Sequence, residues 1–227
     1  ERTSASIAAS VEQAQASAGA KICSAYINLS GMHVDIFRNR ASLSIGEGGR
    51  KITSEDVEKL LRYAEEIELQ EGTDIVEVIP IRYILDGYNE IKDPVGLFGS
   101  MLEVEADIVT AKVATVRNIL KSLNNAGLKA DGIVLEAFAL AELLPSLEDR
   151  KNGVVLVDVG GGITNITVIK DDRLLLFDSI PVGGDHITSD ISIGLNTTIE
   201  EAEKIKKEYE LALTSLIDND QNLFVKD

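Results

Sequence analysis

Between residues 102 and 108 apolar and polar side chains alternate without a break. Leu102, Val104, Ala106 and Ile108 fall on one side, and Glu103, Glu105 and Asp107 on the other. A period of two predicts a strand with one dry and one wet face, as in an antiparallel sheet. Upstream the period shifts from segment to segment. Ile7, Val11, Ala14 and Ala18 recur at helical spacing, and Gly19 supplies a stop. Residues 22–29 (ICSAYINL) and 41–45 read as strands, the second followed by a GEGG turn at 46–49. Thr53 and Asp56 make a box-like helix start, and Val57, Leu60, Leu61, Ala64 and Ile67 form one apolar face. Residues 75–85 are β-rich, but Pro80 interrupts them, which predicts an edge position or a bulge. Residues 22–111 therefore read as strand–(strand)–helix–strand–strand, an α+β unit packing one helix on one sheet.

After residue 111 the rhythm changes. Val116, Ile119, Leu120 and Leu123 predict a helix closed by Gly127; residues 132–135 form a short strand; residues 137–144 form an apolar helix stopped by Pro145. Residues 153–159 (GVVLVDV) are almost continuously apolar, which predicts a strand buried on both faces. Helices alternating with such strands indicate an α/β layer. Domain transitions are expected near residue 111 and near 151–152. A charged helix is expected over 199–211.

Composition narrows the function classes. The 227 residues carry 22 Lys and Arg against 38 Asp and Glu, a net charge of −16. Such a chain repels phosphate backbones, which argues against nucleic-acid binding, and it disfavours adhesion to anionic lipid. No apolar run approaches the roughly 20 residues that span a bilayer. One cysteine gives no disulfide framework; Cys23 among apolar and Ser/Tyr neighbours reads as a buried small hydrophobe in a reducing compartment. Two histidines far apart, His33 and His186, give a zinc site little to build on. The start, ERTSASIAAS, has neither an initiator Met nor a signal-peptide core, and the end is a polar tail, IDNDQNLFVKD. The expectation is an internal piece of a longer protein.

The chemistry concentrates in DVGGGITN at 158–165. The apolar strand delivers Asp158 to its end, and Gly160, Gly161 and Gly162 follow at once. Glycines let backbone N–H groups turn inward and let a phosphate approach where a Cβ would stand. Thr164 offers a hydroxyl to a phosphate oxygen, and Ile166, Val168 and Ile169 return as a second strand. Asp158 can hold a hydrated Mg²⁺ through water. No Gly-Lys-Ser/Thr follows, so this is not a P-loop. At 180–188 (IPVGGDHIT) a strand ends in Gly183 and Gly184 and opens a helix at Asp185, a turn able to seat ribose or phosphate. The charged helix carries Glu203, Lys206 and Lys207.

A DxGGG hairpin, a GGD turn and a Glu-x-x-Lys helix, in that order, resemble the actin/Hsp70/hexokinase superfamily. Within it the chain resembles the FtsA family of bacterial actin-like cell-division proteins. The likeness runs over almost the whole length: YINLSG at 26–31, ITSEDV at 52–57, 78–80, 86–87, IKDPVG at 91–96, AGLKADGIV at 126–134 and IPVGGDHITSDISIGL at 180–195. It implies an α+β inserted subdomain of strand–helix–strand–strand (SHS2) type plus part of an actin-like α/β (ribonuclease H-like) ATPase core. On that pattern residues 1–21 end a first-lobe helix, 22–111 are the insert (1C) and 112–150 the rest of the first lobe (1A). Residues 151–186 begin the second lobe (2A) and 187–227 its subdomain 2B.

The resemblance also implies cofactors and roles. ATP with Mg²⁺ would sit between the lobes of the parent protein. Asp158, Gly160, Gly161, Gly162 and Thr164 match the second phosphate loop, Gly183 and Gly184 the turn near the ribose, and Glu203 and Lys206 the helix beside the adenosine. Ile163 stands where Thr is common and Asn165 where Asp is common. Asn cannot act as a general base, so hydrolysis is at most weak, and no catalytic residue is assigned. The first phosphate loop, the adenosine-contacting Gly-Gly loop and a membrane-anchoring C-terminal helix would lie outside this chain, which alone is expected to bind ATP weakly or not at all. The implied partners are FtsZ, other division proteins and further copies of the same protein, at the cytoplasmic face of the membrane at the division site. The insert would serve protein contacts, with Glu103, Glu105 and Asp107 as one acidic face. An actin-like scaffold of type IV pilus assembly and a superfamily kinase are the alternatives.

Overall fold

The computed structural model describes residues 2–209. In chain order the elements are α1 (Arg2–Ala18), β1 (Ser24–Leu29), β2 (Val34–Ser44), β3 (Arg50–Lys51), α2 (Ser54–Ala64), β4 (Thr73–Leu85), β5 (Tyr88–Ile91), β6 (Phe98–Gly99) and β7 (Met101–Lys112). They continue with α3 (Val113–Asn125), β8 (Lys129–Leu135), α4 (Glu136–Leu143), α5 (Leu147–Asn152), β9 (Val154–Val159), β10 (Thr164–Lys170), β11 (Arg173–Ile180), α6 (Gly184–Leu195) and α7 (Ile199–Glu208). The end of the expected 199–211 helix and the polar tail lie outside the described residues.

The inserted unit is a four-stranded antiparallel sheet in the order β2-β7-β4-β5 with α2 on one face. The alternation at 102–108 is realised: Leu102, Val104, Ala106 and Ile108 are fully buried and pack with Leu60 and Ala64 of α2. Each such side chain contributes about 1.5–3 kcal/mol on burial, alanine less. The helix starts where its cap is. Thr53 Oγ1 accepts from the Asp56 amide at 3.3 Å, and Asp56 Oδ2 accepts from the Thr53 amide at 2.8 Å. Arg50 closes on the same carboxylate at 2.6 Å and, foremost among several hydrogen bonds, holds it well below the usual range. Pro80 falls at a register shift in β4–β7, on a stretch of β4 that β5 does not reach, so its missing N–H breaks no ladder.

Three expectations are corrected. The acidic face of β7 is not an open one: Arg38 pairs with Asp107 at 3.0 Å, Arg40 with Glu103 at 3.2 Å and Arg82 with Glu105 at 2.6 Å. Strands β2 and β4 flank β7: Arg38 stands opposite Asp107, Arg40 and Arg82 stand opposite Glu105, and Arg40 reaches diagonally to Glu103, while β11 crosses this face, where Arg38 Nη2 donates to the Leu174 carbonyl at 2.8 Å. Strand β9 is not buried on both faces. Val155, Val157 and Val159 are more than half exposed, because β9 is the edge of the sheet β11-β10-β9 and no described element packs on that side. Cys23 is exposed, in the link between α1 and β1.

The first strand also pairs differently from its expected place in the insert. Strand β1 runs parallel to β8, from Ser24↔Lys129 to Leu29↔Leu135, and these two form the other layer. A second core joins the layers: Ile27, Leu29, Leu123, Leu128 and Leu135 meet Val34, Val109 and Ala111 of the insert and Leu174 of β11. Helix α1 lays Ile7 and Val11 against this core from outside. Helix α5 is an element the sequence reading did not expect. It is only six residues long, yet Ser146 and Asp149 cap it with the same reciprocal pair as α2. No helix among the described residues is long and apolar enough to cross a membrane.

Candidate phosphate-binding site

Three distant segments meet at one end of β9 and β10. The hairpin is closed by the β9–β10 ladder, from Val159↔Thr164 back to Val154↔Ile169, and by the Gly160 amide donating to the Ile163 carbonyl at 2.9 Å. Gly161 and Gly162 form the exposed tip between the strands. Neither of their N–H groups meets a backbone acceptor among the described residues; open amides of this kind are the chemistry of anion-binding turns in general.

The GGD turn docks on the back of this tip. The Gly184 amide donates to the Gly160 carbonyl at 2.9 Å and the Asp185 amide to the Gly161 carbonyl at 2.8 Å. Thr164 Oγ1 donates to the Val182 carbonyl at 2.7 Å, so this hydroxyl, expected on a phosphate, joins hairpin to turn instead. Gly183 is fitted without slack: a Cβ there would stand 2.4 Å from the Gly161 oxygen and 2.5 Å from the Gly160 oxygen.

Helix α7 closes the assembly. Lys206 Nζ reaches Glu203 Oε2 at 2.7 Å, Thr188 Oγ1 at 2.9 Å and the Gly184 carbonyl at 3.2 Å. Thr188 also donates to Glu203 at 2.5 Å, and Lys207 pairs with the other carboxylate oxygen at 3.2 Å. These contacts, the Lys206 hydrogen bond first, lower the Glu203 pKa from its ordinary 4.5 to about 2. A depressed carboxylate contributes stability above its unfolded pKa, and the contribution disappears as pH falls through the folded value. The stability difference between the wild type and Glu203→Gln is therefore expected to be full above pH 4.5 and to vanish by about pH 2. Urea titrations of both proteins across that window check this; a difference that does not change with pH contradicts it.

All nine expected nucleotide-binding residues thus lie in one continuous assembly: Asp158, Gly160, Gly161, Gly162, Thr164, Gly183, Gly184, Glu203 and Lys206. Thr164, Glu203 and Lys206 use their polar atoms to hold it together. Sequence reasoning missed Glu136, at the start of α4. One of its carboxylate oxygens accepts from Asn28 at 2.9 Å, the other from Asn165 at 3.1 Å, and Asn165 Nδ2 lies 3.4 Å from Asp158 Oδ2. An acidic residue in the first turn of a helix is ordinary for dipole reasons, so nothing local marked it. Gly31, after β1, lies under the Ile163 side chain and adds a second contact from the β1–β8 layer to the hairpin. Among the described residues no three His, Cys, Asp or Glu side chains converge on a point.

Residues 31–110 match the family model of the "SHS2 domain inserted in FTSA", and residues 155–227 that of "Cell division protein FtsA". The chain is 34% identical over 203 residues to Cell division protein FtsA of Bacillus subtilis, covering 89% of this chain and 46% of the relative. To the protein of the same name from Pseudomonas aeruginosa it is 31% identical over 216 residues, covering 95% and 51%. It spans about half the length of these relatives. Among solved structures it resembles the PilM-PilN type IV pilus biogenesis complex, with a TM-score of 0.62 and 19% identity over 90% of this chain and 56% of that one, a likeness of fold alone. An SHS2 insert in an actin-like α/β core, both family models and identities above 30% agree: the chain belongs to the FtsA family of cell-division proteins.

Proposed function

We propose that this chain supplies the second phosphate loop and the protein-contact insert of an ATP-holding division scaffold. One observation carries the reading: the hairpin, the GGD turn and the Lys206 helix, separated in sequence, close on each other and leave the Gly161 and Gly162 amides open at the tip. In this reading those amides take phosphate oxygens, Gly183 and Gly184 border the ribose, and Glu203 and Lys206 hold the helix beside the adenosine. Magnesium enters with the nucleotide, held mainly by its phosphates, with Asp158 reaching it through water. The parent scaffold links FtsZ filaments to the inner face of the membrane, associates with its own copies and receives later division proteins. Residues 31–110 serve as the contact-making insert. The pilus-assembly alternative is supported by fold alone, whereas the division reading is supported by sequence identity.

Weak binding is visible to amide NMR. Titrating the labelled chain with Mg-ATP is expected to move the amides of Gly160, Gly161 and Gly162 most, with Gly184 and Asp185 next. Asp158→Ala is expected to weaken the response. Shifts confined to the insert, or no shift at these glycines in the full-length parent at millimolar nucleotide, would remove the phosphate reading. Co-sedimentation of the full-length parent with FtsZ filaments checks the scaffold reading; a parent that stays in the supernatant contradicts it.

A further inference from the structure

Asn165 is 4% exposed, and its side chain meets three others. Ser179 Oγ donates to Oδ1 at 2.7 Å; Nδ2 donates to Glu136 Oε2 at 3.1 Å and faces Asp158 Oδ2 at 3.4 Å. An ionised carboxylate only accepts, so the amino end of the amide belongs on the side of Asp158 and Glu136. That leaves Oδ1 as an acceptor, and Ser179 is the donor opposite it. The orientation of the amide is therefore fixed from both ends. Asn28 holds the far oxygen of Glu136, so the chain of contacts runs from β1, through Glu136, to β10 and β9.

Two converging carboxylates need something between them. Like charges repel each other, and a bridging cation or a pair of N–H donors relieves that repulsion. We propose that the Asn165 amide is a fixed, uncharged stand-in for a divalent cation. It bridges Asp158 and Glu136, so the hairpin and the β1–β8 layer stay joined with no metal bound, and Ser179 is its positioning residue. The proposal rests on the reading of the hairpin as a phosphate grip. Its own claim concerns the nucleotide-free chain: magnesium has no place between these carboxylates until phosphates bring it.

Asn165→Asp tests this, because it replaces a donor by a third acceptor. Thermal unfolding is followed in nucleotide-free buffer at neutral pH, with magnesium chloride compared against sodium chloride of equal ionic strength. The wild type is expected to melt alike in both salts. Asn165→Asp is expected to melt about 4 °C lower in sodium chloride and to regain most of that loss in millimolar magnesium. Ser179→Ala is expected to melt lower with no magnesium response. Asn165→Asp combined with Glu136→Gln reverses donor and acceptor on the Glu136 side only, because Asp158 still faces the introduced carboxylate, and is expected to melt above Asn165→Asp and below the wild type in sodium chloride. A wild type that gains as much from magnesium as Asn165→Asp overturns the proposal. So does an Asn165→Asp variant that melts like the wild type in sodium chloride. If Asn165→Asp alone fails to fold, the double variant decides, and its failure to fold also overturns the proposal. No nucleotide is present, so these outcomes are separate from those of the NMR titration.

Discussion

Arg38→Ala is expected to cost about 3 kcal/mol of folding stability, the low end for a broken buried pair because the arginine is partly exposed. Its partner, Asp107, is 3% exposed at the centre of β7, where burial pushes the carboxyl pKa up and the Arg38 hydrogen bond pulls it back. Without Arg38 the carboxylate is left in place with nothing opposite it. The same substitution removes the hydrogen bond to the Leu174 carbonyl, which joins the insert to β11. Asp107 has one escape, which is to take up a proton. A carboxylate whose folded pKa is raised binds its proton more tightly in the folded state, so stability falls as pH rises through that value. The deficit of Arg38→Ala is therefore expected to be larger at neutral than at acidic pH, and adding Asp107→Asn is expected to recover most of it. Arg40→Ala is the control: its pair with Glu103 is more exposed, and its loss is expected to stay below about 1 kcal/mol. Urea denaturation of the four proteins measures all of this. Equal losses for Arg38→Ala and Arg40→Ala would sink the argument.

Gly183→Ala is the other large effect, about 2–3 kcal/mol from three hydrogen bonds. Gly183 has φ −159°, an extended backbone that any residue adopts, so the obstacle is space rather than strain. The added Cβ meets two backbone oxygens that cannot swing aside as a side chain would. The turn has to lift from the hairpin, and it takes with it the Gly184 and Asp185 amide bonds and the Thr164 bond to Val182. The β9–β10 ladder does not depend on these contacts and is expected to survive. Hydrogen exchange should then accelerate at Gly184 and Asp185 but not at Val157 or Thr167. Gly161→Ala is the contrast. Its Cβ meets the Asp185 carboxylate at 3.1 Å, and that side chain is free to turn, so little is lost. Exchange at Gly184 and Asp185 unchanged by Gly183→Ala would refute the close-fit account.

The parts of the fold legible in the sequence are those whose cause is local. The Thr53–Asp56 box and the period of two at 102–108 are each contained within a few residues, and both are realised. Strand β2 starts at Val34, well before the expected 41–45, because Arg38 and Arg40 look like loop residues until the acids of β7 stand opposite them. The pairing of β1 with β8 leaves no local trace, since each strand reads alike in either sheet. At the site, glycine runs and motif order identified the three segments. They did not identify Glu136, whose role exists only through Asn28 and Asn165, far away in sequence. Nor did they foresee that Thr164 and Lys206 would spend their polar atoms on neighbouring loops. A hydroxyl or an ammonium in a motif indicates donors, not which acceptor is nearest.

The pairing of Val34 with Ala111 bears on how the chain reaches its fold. It sets the two ends of the insert side by side, and the Lys112 amide donating to the His33 carbonyl at 3.1 Å fastens them just outside the sheet. Strands β1 and β8 have to find each other across the whole insert, and an open loop of that length carries a closure penalty before any contact repays it. Once β2 and β7 have zipped, the distance along the chain between β1 and β8 shrinks to the few residues outside the zipper together with α3. The natural order of assembly is insert first, parallel pair second. The insert behaves as a self-closing plug in the chain rather than as an interruption of it, and the lobe around it needs only to meet two adjacent ends.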